Sequence, residues 1–171
     1  HAGDATYPGY KHYVHDWGAG FKAAYLTRYA DLLPPFSGMR EYGNEFYWCT
    51  EPYIENDTLG MAAPGMPQKA SELAYKFASV TGDFDGVIWA KFGAALYALA
   101  YTEANAYDVV TKAATVLPEG SWPRTIYETC LSQYATENNW RNAVTVLASM
   151  KRNVDESDNV QTLTDINNSI I

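Results

Sequence analysis

Between positions 87 and 101 the chain carries one charge, Lys91. A helix over this stretch has no polar stripe to turn toward water, so its neighbours must cover it on nearly every side. The preceding segment offers a cover. Ala70, Leu73, Ala74, Phe77 and Ala78 recur at i, i+3, i+4, i+7 and i+8, which predicts one apolar helical face. Pro67 suits the first turn of that helix, where its missing N–H would have had no partner. Gly82 is the expected residue just past its end. Thr81-Gly82-Asp83-Phe84-Asp85-Gly86 then reads as an acidic glycine turn joining the two helices.

The rest of the chain supplies further helices. Asp16 is placed to cap a helix over 17–32, with Phe21, Ala24, Tyr25 and Tyr29 inside, and Pro34-Pro35 ends it. The stretch 36–52 is rich in glycine and aromatic residues. It reads as a loop long enough to suggest a functional one. Val109, Val110, Ala113, Ala114 and Leu117 predict a helix over 106–117. Ser121 and Asn139 are set to cap two more, carrying Ile126, Tyr127, Cys130, Leu131 and Tyr134, and then Ala143, Val144, Leu147 and Met150. No segment reads as a strand. The expectation is an all-α fold, a compact bundle of five or six helices forming one domain over 1–171.

A net charge of −8 argues against nucleic-acid and anionic-membrane partners, which need clustered Lys and Arg. No run approaches the ~20 apolar residues of a membrane span. Cys49 and Cys130 are too few for a zinc site. One long-range disulfide and two separate buried thiols both remain open. Sequons stand at Asn56 and Asn167, and the first is expected to stay bare. Few lysines beside 14 tyrosines and abundant Asn and Thr lean toward a secreted protein. The His at position 1 points to a processed, engineered or partial chain. His12-x-x-His15-Asp16 would set two imidazoles on one helix face, a transition-metal pattern, with His1 as a further copper ligand.

The run IENDTLGMAAPGMPQKASELAYKFASVTGDFDG at 54–86, followed by VIWAKFGAALYALAY, resembles the middle of the ADP-ribosylglycohydrolase family. It is most similar to the larger bacterial-type members, which carry an IEAD-x-x-G-x-x-x-PG-x-P run. PPFSG at 34–38 and LPEGS at 117–121 fit the same order. The likeness spans roughly residues 10–140 and implies an orthogonal helical fold. It also implies cleavage of the glycosidic bond at ADP-ribose C1″ in an ADP-ribosylated substrate. Magnesium would be held by two aspartate-rich segments, one toward each end of the family domain.

This sequence has neither segment. Asp155-Glu156-Ser157-Asp158 falls before the place of the late one and reads as a solvated loop. The chain is therefore expected to be the middle of a longer enzyme or a shortened relative without the metal centre. No cofactor is expected for these residues alone. Self-association, or association with flanking segments, is expected instead. The alternative function is a non-catalytic structural or self-assembling module on the same scaffold.

By resemblance, the substrate-binding residues are Ser37, Gly38, Arg40, Glu55, Asp57 and Asp85. Glycine lets backbone N–H groups approach a phosphate, and Arg40 can pair with one. Glu55 and Asp57 would accept ribose hydroxyls, and Asp83, Asp85 and Gly86 would line the cavity. The plainer reading makes Arg40 a surface turn residue, Asp57 a helix cap and Asp83–Gly86 an ordinary turn.

Overall fold

The computed structural model describes residues 19–49, 51–54, 56–137 and 139–150. Regular structure among them is helical throughout, with no strand, so the fold is all-α. The chain divides into two compact units, His1–Val116 and Leu117–Ile171.

The first unit runs α1 (Ala19–Ala30), two 3-10 turns (Phe36–Gly38 and Arg40–Tyr42), α2 (Glu51–Ile54), α3 (Asp57–Met61), α4 (Pro67–Ala78), α5 (Phe84–Ala100), α6 (Ala106–Ala113) and a 3-10 turn, Ala114–Val116. Its centre is α5, which touches α2, α3, α4 and α6. That is the covering its composition demands.

The contact between α4 and α5 is made by alanine. Ala70, Ala74 and Ala78 on one helix and Ala90, Ala94 and Ala98 on the other are all 0% exposed. Ala70 and Ala74 cluster with Ala94 and Ala98, whereas Ala78 clusters with Val87 and Ala90, so the helices run antiparallel. Methyl groups at every fourth position let the two backbones approach closely. This corrects the predicted α4 face. Leu73 is only half-buried and Phe77 is exposed, while Ser71 is buried. When alanines carry a close contact, bulky residues at its margins are left at the rim.

Two boundaries also differ. The residue after the end of α4 is Ser79, in right-handed geometry, and Gly82 lies further on, donating its N–H to the Ala78 carbonyl at 2.8 Å. The acidic glycine turn is shorter than predicted, because Asp83 already caps α5, accepting the Phe84 N–H at 2.8 Å. Asp85 and Gly86 therefore belong to the first turn of α5. The predicted 106–117 helix gives way at Ala114 to the 3-10 turn. Asn105 caps α6, accepting the Asp108 N–H at 2.8 Å.

Helix α1 ends at Ala30, where Asp31 takes a left-handed φ of 52° and Leu32 donates its N–H back to the Leu26 carbonyl at 3.3 Å. The predicted Asp16 cap and the His12/His15 pair lie outside the described residues. Two caps appear as predicted in the second unit, α7 (Trp122–Glu137) and α8 (Trp140–Ser149). Ser121 Oγ accepts the Arg124 N–H at 3.2 Å, and Asn139 Oδ1 accepts the Arg141 N–H at 3.1 Å. Ile126 and Leu147 are the large side chains fully buried there.

Both cysteines are free thiols. Burial pushes the Cys130 thiol up to about 11. A thiol pKa raised in the folded state gives stability that is present below the unfolded value and lost as pH rises toward 11. Alkylation of Cys130 in the folded protein should be slow at pH 8 and should climb with a midpoint near 11. Rapid labelling at pH 8 under native conditions would contradict that burial.

Helix α3 meets α5 through Gly60. A methyl there would collide with Tyr97 Cβ and lie 2.7 Å from the Ala94 carbonyl oxygen. Gly60→Ala should therefore destabilise the protein by about 1–3 kcal/mol, measured as a lowered urea midpoint. An unchanged midpoint would mean the α3–α5 contact is looser than described.

Candidate functional site

Past the end of α4 the backbone leaves carbonyl groups with no helical partner. The loop predicted as functional supplies partners for them. Ser37 Oγ donates to the Val80 carbonyl at 2.9 Å, and Asn44 Nδ2 donates to the Thr81 carbonyl at 2.9 Å. Asn44 also ties its own loop together, donating to the Gly38 carbonyl at 2.9 Å and accepting the Phe46 N–H at 3.0 Å. The return bond comes from Asp83, whose N–H reaches the Tyr47 carbonyl at 2.9 Å. Ser37 and Asn44 are 0% exposed. Gly38 fits because it has no side chain: a methyl would collide with the Ser79 carbonyl and lie 2.6 Å from that of Gly82.

Ser37 and Gly38 thus sit inside the contact between the loop and the α4–α5 turn. Arg40 is half-buried, with its guanidinium 5.4 Å from the centre of the Tyr47 ring. The exposed Phe84 meets Tyr47 edge-on at 5.9 Å and holds a left-handed φ of 44° at the start of α5. Such backbone strain in a non-glycine residue concentrates at functional sites. Asp85 is half-buried one residue further on. The structure thus gathers Ser37, Gly38, Arg40 and the Asp83–Gly86 turn at the N-terminal end of α5.

Asp57 lies elsewhere on the unit. It opens α3, and its carboxylate accepts the Thr58 N–H at 2.7 Å. Gly60, on the same short helix, rests on the second half of α5. Glu55 lies outside the described residues. Asn56 is 0% exposed and donates its amide to the Pro52 carbonyl at 2.7 Å and to that of Tyr53 at 3.3 Å. A sequon nitrogen so engaged cannot receive a glycan in the folded protein. Its Oδ1 accepts no hydrogen bond from the described residues. The Tyr53 ring lies over Gly93, and burial, reinforced by Tyr97, raises its phenol above the ordinary value.

Sequence reasoning missed Asn44 and Glu51. Glu51 takes the Gly20 N–H at the start of α1 with both carboxylate oxygens, at 3.0 Å each. Such a residue shows no local signal, because its partner is 31 positions away.

Beside the loop clamp lies an open cleft of about 230 Å³. One stripe of α5 forms its floor: Phe84, Val87, Ile88 and Lys91. Tyr75 and Ser79 of α4 form one wall, and Pro35 and Met39 the other. Asp83 stands at the end near the α4–α5 turn. No group of three or more His, Cys, Asp or Glu side chains converges among the described residues. Comparison of the chain with protein-family models, curated proteins and solved structures gives no match.

Asn44 is the keystone of the loop clamp. Asn44→Ala removes three hydrogen bonds and strands one buried and one part-buried carbonyl, so it should cost about 2–4 kcal/mol. Ser37→Ala, with one bond, should cost about 1 kcal/mol. Equal effects of the two variants in urea unfolding would remove Asn44 from that role.

Proposed function

We propose that the chain is an ADP-ribosylglycohydrolase-like domain, acting on the glycosidic bond at ADP-ribose C1″. These residues would supply the helical scaffold and part of the substrate face. The observation that carries the reading is the packing of the motif stretches. PPFSG seats on the TGDFDG turn, the IENDTLG run lies against α5 through Gly60, and Gly65 of the APG run donates its N–H to the Ala98 carbonyl at 2.8 Å. In this reading Arg40 takes a phosphate and Asp85 faces the same ligand, whereas Asp57, on the short helix that rests on the second half of α5, lies away from them.

The described residues do not fit the family's magnesium. That ion needs several oxygen ligands in near-octahedral convergence. The Asp57 and Asp83 carboxylates are each turned to the N–H of the next residue, and no acidic cluster forms among the described residues. No metal-dependent step is assigned to them.

The second reading is a non-catalytic, self-assembling module, and one observation favours it. Ile54, Met61, Tyr97 and Tyr101 of the first unit are large apolar side chains left 46–70% exposed. No described helix is long and apolar enough to cross a membrane.

Calorimetric titration with ADP-ribose separates the two. The glycohydrolase reading expects saturable binding that Arg40→Gln weakens about tenfold, the loss of one charge-assisted pair. The isolated chain should release no ADP-ribose from a modified protein, with or without magnesium. Absence of ADP-ribose binding, together with concentration-dependent association in sedimentation, would favour the second reading.

A further inference from the structure

Lys91 is the only charge in a helix otherwise apolar from Val87 onward, and it closes the stripe that floors the cleft. It is half-buried, and it makes no ion pair or hydrogen bond with any described residue. An ammonium drawn partly out of water beside apolar walls is costly unless an anion meets it. Tyr75 stands at the same end. Ala74 packs in one cluster with Ala94 and Ala78 in another with Ala90, which puts Tyr75 level with the Lys91 turn. Its phenol also has no hydrogen-bond partner among the described residues. A half-buried ammonium and a half-exposed phenol therefore share one end of a cleft whose middle is Val87, Ile88 and Met39. The negative group facing the cleft, Asp83, stands at the other end and is turned to the Phe84 N–H.

We infer that this cleft binds a small apolar carboxylate, its anionic head on Lys91 and Tyr75 and its hydrocarbon body on Val87, Ile88 and Met39. The volume, about 230 Å³, suits a single ring or a short chain and not a nucleotide. The inference does not rest on the glycohydrolase reading: of the residues given to the ADP-ribose cavity only Asp83 lines the cleft, at the end away from Lys91.

The test is a titration of the whole chain with phenylacetate, followed by amide chemical shifts and calorimetry, with phenethylamine as the cationic control. Phenylacetate should saturate in the millimolar range and shift amides around Tyr75 and from Val87 to Lys91. Phenethylamine should bind at least about tenfold more weakly. K91Q should lose about tenfold in phenylacetate affinity, while K91R keeps most of it. Added salt should weaken phenylacetate binding to the unaltered protein, a measurement that needs no variant to fold. No shifts at these amides, equal binding of the two probes, or an affinity unchanged by K91Q or by salt would overturn the inference.

Discussion

Close contact between two alanine faces governs the first unit. Ala70, Ala74 and Ala78 of α4 meet Ala90, Ala94 and Ala98 of α5, all wholly buried. Each alanine buries little area, but the shared four-residue spacing lets dispersion act along the whole line of contact. Such an interface tolerates little added volume, because side chains elsewhere cannot yield to make room. It also fixes what the other helices can do. Helix α3 comes close to α5 at Gly60, with Leu59 packed beside it on the Ala94/Ala98 face, and Tyr53 lies on α5 where Gly93 leaves room for its ring.

The second constraint is polar. A tight turn between closely packed antiparallel helices leaves backbone carbonyls at its surface, and burying them unpaired would be costly. The 36–47 stretch resolves this with Ser37 and Asn44, and Asp83 returns a bond to Tyr47. The loop is thus part of the packing of the hairpin. Its position in turn builds the cleft wall from Pro35 and Met39, beside the strained Phe84.

Much of this was legible in the sequence, for particular reasons. The missing polar stripe in 87–101 forces a central helix in any all-helical arrangement. Pro67, Ser121 and Asn139 announce helix starts through local chemistry, and local chemistry survives folding. Leu73 and Phe77 fall outside the contact because size, not hydrophobicity, decides which residues enter so close a helix pair. The repeat Ala90-x-x-x-Ala94-x-x-x-Ala98, matched by Ala70, Ala74 and Ala78, was the available signal for close packing. The loop's role was not legible, because Asn44 and Glu51 act on partners distant in the chain. Among the expected site residues, Ser37, Gly38, Arg40 and Asp85 gather at one end of α5, and Asp57 sits on α3.

Native-state hydrogen exchange tests the central claim most directly, that the alanine-packed hairpin is the most stable element of the first unit and holds the loop to itself. The account predicts the slowest exchange at amides of 90–98 in α5 and 74–78 in α4, with the Asp83 amide protected well beyond an ordinary loop position. Faster exchange in α5 than in α1 or α6, or an Asp83 amide exchanging like an open turn, would contradict it.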